Sequence, residues 1–548
     1  MKKVITVLLA MLLLLPLAVG CSKDQATTTS PSSSTQASQG SEGSSTATEE
    51  KVEYKDTITL ATGTDQNYMD GQMNNTNDKV LRTVYSSLVK RNSQNEIVGD
   101  LAENWEVSAD GLTWTFHLRK DVKFHNGKQF TSADVKASYD RLLNKDNPVR
   151  YTATMSLIAG CNVVDDYTVE LYTENPCPMM LATLCHRANL ILDAEFIEKY
   201  GTDLGLTAES CNGTGPYILK SWDRGEQMIF ESFPDYFEGE APTKNFIIQI
   251  MPEASSRAIA LETGEVDIAD GCTTEDVLRL MKEGPAKGIV VNFYTYQGLH
   301  GFQFNCAHPY LKETKLRQAV SYAIDREAMI DALYAPLGEY CATAPLSEVV
   351  WGYYNFGVIK QDQEKAKQLM AEAGYPDGFE FSIMVYEGYN NALASAEMMV
   401  ADLAEVGITA TIEVVDNAVF KSSRANRTYP GEDFPWGMFI MGYGPGTLDA
   451  DEGLRRIWET SYKGDNNNNY GWYSNATVDE LLNKAAIEMD ENVRKDLYKQ
   501  AMQIIYIDDP AAVFTNQRRL IYCMSDKVEG FMVDMRNAIN YTTLKCRK

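Results

Sequence analysis

After about residue 51, apolar and polar residues alternate with two different periods. In "WTFHLRKDVKF" the large apolar residues Trp114, Phe116 and Leu118 occupy every second position, which is typical of a half-buried strand. The following segment, "TSADVKASYDRLL", offers Thr131 or Ser132 as a helix N-cap, and acidic residues are favourable in its first turn. The pattern therefore predicts a strand followed by a helix.

Later segments repeat this arrangement. "KETKLRQAVSYAIDREAMIDALY" has apolar residues at helical spacing from Leu316 to Ile324, and "DQEKAKQLMAEAG" predicts a helix capped by Asp362 and ended by Gly374. "FEFSIMVY", "LASAEMMVADLAEVG" and "ITATIEVV" predict a β-α-β unit, and "VDELLNKAAIEMDENVRKDLYKQAMQIIY" predicts two amphipathic helices. A β-α-β unit implies parallel strands, so the chain is expected to be an α/β protein.

The N-terminal segment has another pattern. The apolar run at residues 4–19 follows two lysines and ends in small residues, as a secretory signal does. It is shorter than the roughly 20 residues of a membrane-spanning helix. The layout before Cys21 resembles the lipobox of bacterial lipoproteins, although Ala18 stands where those usually have Leu. The resemblance implies that residues 1–20 are a lipoprotein signal peptide and that Cys21 carries lipid; the alternative is an ordinary secreted protein.

The segment after Cys21 is dominated by Ser, Thr, Gln, Gly, Ala and Glu. Residues 22–50 include no aromatic residue and no Leu, Ile, Val or Phe, so they cannot bury enough surface to fold. We expect residues 21–51 to be a disordered tether, which would span roughly 30 Å on average. No later run reaches 18 apolar residues, so no other membrane span is expected.

Size and charge narrow the class further. About 500 residues follow the tether, which is too many for one core and predicts at least two lobes. The formal net charge is −26, whereas nucleic-acid-binding domains carry basic patches. The same charge argues against adhesion to anionic lipid through basic residues. We therefore expect no nucleic-acid partner.

The motifs of common enzymes are absent from the sequence. It has no GxSxG, HExxH or P-loop motif, and its five histidines lack metal-ligand spacing on a helix. It also has no CxxC, and nine cysteines other than Cys21 are expected mainly as small buried residues. We predict no catalytic residues, no metal site and no cofactor. The remaining enzyme hypothesis is a secreted hydrolase, since acidic pairs such as Asp449 and Asp451 resemble glycosidase carboxylates.

The stretch "GYGPGT" at 442–447 resembles a glycine-rich phosphate loop. It lacks a lysine before Thr447, and no convincing helix follows it in the sequence pattern. We therefore interpret it as a loop whose glycines allow unusual backbone angles.

Seven blocks resemble, in order, the extracytoplasmic solute-binding proteins of ABC importers for peptides, nickel and opines. They are "LAENWEVSADGLTWTFHLRKDVKFHNGKQFTSADVKASYDRLL" (101–143), "GTGPYILKSW" (213–222), "PDYFEGEAP" (234–242), "SSRAIALETGEVDIA" (255–269), "FQFNCAHPYLKETKLRQAVSYAIDREAMI" (302–330), "AKQLMAEAGYPDGFEF" (366–381) and "YSNATVDELLNKAAIEMDENVRKDLY" (473–498). Together they cover nearly the whole chain after the tether.

The resemblance implies a two-lobed clamshell of the periplasmic-binding-protein type II class with an extra subdomain in lobe one. We expect lobe one at 52–297 with the inserted subdomain at about 86–196, lobe two at 298–515, and a return to lobe one at 516–548. The hinge crossings are expected around 296–301 and 514–516. The ligand would lie between the lobes and be buried by hinge closure.

The family's cleft-facing segments predict the ligand-binding residues. They are Tyr68, Tyr296, Gln297, Tyr386, Tyr389, Asn390, Trp436, Tyr443 and Asp449. Family dipeptide binders hold the ligand amine with an Asp, but Gly446 stands at that place here, and Asp449 follows three residues later. They also hold the carboxylate with an Arg, which "VYEGYNNALAS" lacks.

The resemblance therefore implies the lipid-anchored solute-binding component of an ABC importer, and not an enzyme. We expect it to be a monomer at the outer face of the cell membrane, where it captures oligopeptides and delivers them to the permease subunits. An oligosaccharide or a metal chelate is the alternative ligand in the same fold.

Overall fold

A long mixed β-sheet organises the protein in the computed structural model, which describes residues 52–389, 391–425, 435–463 and 468–548. The predictions for the signal peptide, the tether, Cys21 and Asn390 lie outside the described residues. The predicted loop at 464–472 lies partly outside them as well.

The strands of the described residues are short except for two. They are β1 (Thr57–Thr62), β2 (Val89–Arg91), β3 (Ile97–Gly99), β4 (Ala102–Val107), β5 (Thr113–Leu118), β6 (Gly160–Asp165), β7 (Thr168–Tyr172), β8 (Tyr217–Asp223), β9 (Gln227–Ser232), β10 (Asn245–Ile250), β11 (Ile268–Asp270), β12 (Ile289–Phe304), β13 (Tyr340–Cys341), β14 (Glu380–Tyr386), β15 (Thr409–Val415), β16 (Met438–Tyr443), β17 (Ala512–Ser525), β18 (Val528–Glu529), β19 (Met532–Val533), β20 (Ile539–Asn540) and β21 (Lys545–Cys546).

The α-helices of the described residues alternate with these strands. They are α1 (Leu81–Val84), α2 (Ser132–Leu142), α3 (Met180–Leu184), α4 (Ala194–Tyr200), α5 (Ala254–Thr263), α6 (Thr274–Glu283), α7 (Thr314–Ala323), α8 (Arg326–Leu333), α9 (Gln363–Glu372), α10 (Ala392–Ala404), α11 (Asn417–Ala425), α12 (Ala450–Trp458), α13 (Ala476–Ile487) and α14 (Glu491–Gln503).

The predicted element types are confirmed where the described residues test them. Helix α2 begins with a capping box formed by Thr131 and Asp134. Asp362 caps α9 by accepting from the backbone N–H of Lys365 at 2.9 Å, and Gly374 follows its C-terminus with φ 88°. Strands β14 and β15 pair in parallel on either side of α10, as the β-α-β pattern predicts.

One predicted helical segment is divided in two. Helix α7 ends at Ala323, and Asp325 caps α8 by accepting from the backbone N–H of Ala328 at 2.9 Å. A capping carboxylate starts a new helix more favourably than it continues an old one, because its oxygen satisfies an otherwise unpaired N–H.

The α/β class is confirmed by the central sheet. Its strand order within the described residues is β15-β14-β16-β12-β17-β11-β1-β10-β9-β8, with β13 added at β17. One half carries the apolar cluster of α7, α10 and β14–β16, and the other half carries the cluster built on β1, β8–β10 and the C-terminal strands. Strands β12 and β17 lie between the two halves and connect the two lobes.

A separate antiparallel sheet in the order β4-β5-β7-β6 lies within the first lobe. This sheet has a separate apolar cluster. From β5 it receives Trp114, Phe116 and Leu118, as their spacing predicts, and from α2 it receives Tyr139. This sheet and its core form the extra subdomain.

The pairing of β12 with β17 is antiparallel but irregular at its centre. Thr295 pairs with Arg519 and Leu299 pairs with Gln517, so β12 carries extra residues at 296–298. A second shift between Leu299 and Gly301 leaves extra residues on β17 at 515–516. Bulges of this kind bend a strand and redirect its side chains. They fall where the lobe crossings are expected, while the division of the chain at those residues stays a prediction.

Gly301 lies where β12 and β17 approach each other closely. A Cβ atom at Gly301 would lie 2.6 Å from the carbonyl oxygen of Val513. We expect Gly301→Ala to lower the free energy of unfolding by about 1–3 kcal/mol, because the strands must separate. Val290→Ala, on an exposed position of the same strand, should change it by less than about 0.5 kcal/mol. Equal urea midpoints for the two variants would contradict this account.

Candidate functional site

Several buried polar atoms along the bulged part of β12 have no hydrogen-bond partner among the described residues. They are Gln297 Oε1, His300 Nε2 and Gln303 Nε2, together with Tyr443 OH on β16 and Arg518 Nε on β17. Leaving such a group unpaired costs about 1–3 kcal/mol, and folded proteins usually satisfy it. Strand alternation sets His300 and Gln303 on opposite faces of the sheet: His300 belongs to a surface with Tyr389, whereas Gln303 and Tyr443 line a cavity together.

The imidazole of His300 is buried beside Asn516. Asn516 Nδ2 lies 3.5 Å from His300 Nδ1. Burial lowers the pKa of His300 well below its usual value, and nearby Arg518 lowers it further. His300 is therefore a neutral imidazole that offers one N–H donor.

Arg518 supplies the positive charge of this surface. Its guanidinium lies 5.2 Å from the ring centroid of Tyr296 and acts electrostatically on the pKa values of His300, Glu339 and Tyr389. Within the described part of the chain, Arg518 forms no ion pair within 4.0 Å. Its charge is thus available to an anionic group.

Glu339 is a buried carboxyl group whose pKa Arg518 lowers. Its Oε2 accepts from Asn516 Nδ2, and its Oε1 accepts from the backbone N–H of Arg519 at 3.4 Å. Burial raises the pKa of Glu339 to about 7, although Arg518 acts in the opposite direction. Glu339 is therefore about half protonated at neutral pH and only partly offsets the charge of Arg518.

Aromatic rings border the same surface. The ring of Tyr389 lies 4.8 Å from that of Tyr386 and 4.9 Å from the imidazole of His300. The ring of Tyr386 also contacts Phe420 at 4.6 Å. The predicted pair Tyr386 and Tyr389 is thus brought beside His300 and Arg518.

Two cavities lie beside the segment that follows β16. One of about 210 Å³ is lined by Gln303, Tyr443 and the ion pair between Glu452 and Arg456. A second of about 400 Å³ lies between the extra subdomain and the second lobe, and Glu452 and Arg456 line it too. Both cavities are of the size that binds small ligands or parts of larger ones.

Direct contacts hold the lobes together beside these cavities. Arg91 Nη2 donates to the carbonyl oxygen of Thr447 at 3.0 Å, and Asn95 Nδ2 donates to that of Val349 at 3.1 Å. Within the expected first lobe, the backbone N–H of Gln297 donates to the carbonyl oxygen of Met535 at 3.0 Å. The hydrogen bonds of Arg91 and Asn95 thus join the extra subdomain to the second lobe.

The glycines of "GYGPGT" serve close approach, which corrects the expectation of unusual backbone angles. Gly442, Gly444 and Gly446 do not have positive φ. A Cβ atom at Gly442 would lie 1.9 Å from Tyr389 OH, and one at Gly444 would lie 2.7 Å from the carbonyl oxygen of Gln297. A helix, α12, also begins soon after this loop, contrary to the sequence interpretation.

Asp449 has a structural role in the second lobe. It caps α12 and accepts from Arg494 at 2.7 and 3.0 Å, and it is buried. Burial raises the pKa of Asp449, and Arg494 opposes that change. Its contact with a ligand amine stays a prediction, and we leave Asp449 out of the proposed contacts.

Trp436 and Tyr68 are also placed apart from the hinge groups. Trp436 Nε1 donates to Glu413 at 2.5 Å, and its ring belongs to the apolar core of the second lobe. The carbonyl oxygen of Tyr68 accepts from Asn74 at 2.5 Å in the loop after β1. Tyr443 lines the smaller cavity and packs against Trp458 at 6.1 Å.

Sequence reasoning missed His300, Gln303, Glu339 and Arg518. A usable signal was present for Arg518, because "QRRLIYC" places two adjacent arginines in an otherwise apolar strand. Alternation puts these two side chains on opposite faces of the strand, so one of them must face the interior side. Glu339 gave no such signal, since its position depends on β13 pairing with β17.

Metal-ligand clusters and membrane-spanning helices are the other features of the described residues that bear on function. Within those ranges, no group of three or more His, Cys, Asp or Glu side chains is arranged to hold a metal ion. The helices in the same ranges include none with the length and apolar character needed to span a membrane.

Comparisons with known proteins agree with this architecture. A model of bacterial extracellular solute-binding proteins, family 5, middle region, matches residues 96–465. The chain is 31% identical to heme-binding protein A of Haemophilus influenzae over 78% of this chain and 80% of that protein. It is 30% identical to the dipeptide-binding protein of Escherichia coli K12, covering 82% and 86%.

A solved structure has the same fold. The periplasmic binding protein DppA from Helicobacter pylori, in complex with the peptide STSA, superposes with a TM-score of 0.75 at 26% identity. The match covers 90% of this chain and 99% of that one. The described residues thus have the two-lobed fold of periplasmic binding proteins.

The raised pKa of Glu339 predicts a pH dependence of stability. Its usual value is 4.5 and its folded value is about 7, so the folded protein binds the extra proton between these pH values. Stability is therefore lost as pH rises from about 4.5 to about 7, at up to about 1.4 kcal/mol per pH unit. We expect Glu339→Gln to reduce this decline in urea titrations at several pH values, and an unchanged slope would contradict the assignment.

Proposed function

The chain belongs to the family 5 bacterial extracellular solute-binding proteins, and from that premise we propose that it captures oligopeptides for an ABC importer. The peptide would lie in the interlobe cleft against β12 and β17. The observation that carries the proposal is the set of unpaired, buried polar atoms along the bulged hinge strands.

The chemistry of these atoms favours a ligand rich in hydrogen-bond acceptors. Gln303 Nε2 and Arg518 Nε are donors, Gln297 Oε1 is an acceptor, and the neutral imidazole of His300 has one N–H donor. Peptide carbonyl groups and a C-terminal carboxylate match the donors, and a peptide N–H matches the acceptor. Charge-assisted hydrogen bonds to a carboxylate are the strongest of these interactions.

Arg518 is the proposed carboxylate partner. The family's arginine in the segment before α10 is missing, and Asp449 is paired with Arg494. The cleft would then hold a peptide through its carboxylate and backbone, without an acidic partner for the amine. Such recognition tolerates peptides of different length and sequence.

The remaining parts of the proposal concern location. Cys21 would carry the lipid, residues 21–51 would be the tether, and the folded lobes would work outside the cell next to the permease. Two or more acyl chains are enough for stable anchoring. The lobe boundaries 52–297, 298–515 and 516–548 belong to the same proposal, as does the monomeric state.

A pair of peptide pools tests the carboxylate assignment. We expect a pool of free-acid tetrapeptides to raise the thermal midpoint of the wild-type protein, and the same pool with amidated C-termini to raise it much less. Arg518→Met should abolish the difference between the pools. Loss of a charge-assisted hydrogen bond of about 1.5–3 kcal/mol corresponds to roughly 10- to 100-fold weaker binding.

Arg519→Met is the matched control. The Arg519 guanidinium lies against the carbonyl oxygen of Gly338 and the ring of Tyr340, whereas that of Arg518 lies against the ring of Tyr296, although both charges act on Glu339. It should keep the preference for free acids. Equal stabilisation of the wild type by acid and amidated pools would reject Arg518 as the anchor, and no response to either pool would reject the peptide ligand.

Anchoring is tested in cells by Cys21→Ala. Without the thiol no lipid can be attached, so the variant should appear in the medium or keep its signal peptide. Cys341→Ser removes a thiol that donates to the carbonyl oxygen of Arg326 and should stay with the membrane. Normal processing and membrane retention of Cys21→Ala would show that the lipid anchor is not at this residue.

A further inference from the structure

Two cysteines meet beside the hinge strand in the first lobe. Strand β11 pairs antiparallel with β17, and this pairing sets Cys523 opposite Ala269. Cys272 follows β11 directly, and both cysteines pack in the apolar cluster that contains Leu261 and Val277. Residues far apart in the chain thus bring two thiols together.

The two thiols differ in exposure. Cys523 is buried at 1% exposure, whereas Cys272 is half-buried. The interaction between the two thiols lowers the pKa of Cys272 and raises that of Cys523. By contrast, the thiols of Cys211, Cys306 and Cys341 donate to backbone carbonyl oxygens at 3.2–4.0 Å.

Charged groups of both signs lie near Cys272. Burial raises the pKa of its thiol, the Arg257 guanidinium lowers it, and Asp270 and Asp276 raise it. Asp270 is itself paired with Lys79. Cys272 also directly precedes Thr273, the N-cap of α6, and a helix N-terminus favours a nearby thiolate.

We propose that Cys272 and Cys523 are a thiol–disulfide exchange site that a small-molecule disulfide oxidises. The Cys272 thiolate attacks one sulfur of the disulfide, forms a mixed disulfide and releases one thiol. The Cys523 thiol then gives up its proton and attacks the Cys272 sulfur, which releases the second thiol. Two protein thiols and one external disulfide thus become one protein disulfide and two external thiols.

The order of the two steps follows from exposure. An external disulfide reaches Cys272 first, because Cys523 is buried behind it. The product would fasten the segment after β11 to β17 within one lobe. It should raise the thermal midpoint, because a cross-link restricts the unfolded chain.

Oxidised glutathione and peptide mapping test the proposal on the folded, full-length protein. Trypsin releases Cys272 in the peptide 258–279 and Cys523 in 520–527, and each of these peptides has one cysteine. We expect the folded wild type to lose two hydrogens in mass and to give these two peptides joined, until a reductant separates them. Cys341→Ser should behave identically.

Single variants separate the two roles. Cys523→Ser should keep one glutathionyl group on Cys272, because the resolving thiol is missing, whereas Cys272→Ser should leave Cys523 unmodified. If both cysteines of the folded wild type stay open to alkylation after oxidation, or if Cys272 pairs with another cysteine, the proposal is wrong. A loss of stability in a variant does not affect the main test, because the joined peptides are detected in the wild-type protein.

Discussion

The antiparallel ladder between β12 and β17 is the interaction on which the rest of the structure depends, because both lobes include it. Its centre is not regular, and the Gln517 side chain stabilises the bulge by donating to the carbonyl oxygens of Tyr296 at 2.6 Å and Gly298 at 3.1 Å. A regular ladder would turn these carbonyl groups toward β17. The bulge instead bends the connection and redirects nearby side chains of β12, among them the proposed contact Gln297.

The charges around this ladder are the basis for proposing an anionic ligand group. Arg518 has no ion-pair partner within 4.0 Å in the described ranges, and Glu339 is half protonated near neutral pH because it is buried. Asp449, which lies on the other side of the loop, is held by Arg494 in a buried pair. The unpaired charge of the cleft is therefore positive, although the whole chain is strongly acidic. Overall charge and site charge are separate properties.

Local sequence features predicted the helices and strands well. The features that the sequence did not predict depend on pairing between distant segments of the chain. The capping box of Thr131 and the cap at Asp362 are short-range interactions, so they can be inferred from neighbouring residues. The role of Gly442 could not, because the atom that fills its space is Tyr389 OH, from a distant segment. Arg518 was missed for the same reason: only strand pairing brings it beside Tyr296 and His300. The cleft is thus assembled from contacts that no local pattern encodes.

The central claim is that the unpaired hinge groups receive a peptide, and thermal stabilisation across ligand classes tests it most directly. The protein would be melted alone and with peptides of two to eight residues, with oligosaccharides and with nickel chelates. A ligand present at 100 times its dissociation constant stabilises the folded state by about 2.7 kcal/mol. The account predicts that peptides longer than two residues raise the midpoint and that sugars do not. A rise with an oligosaccharide and none with peptides of any length would contradict it.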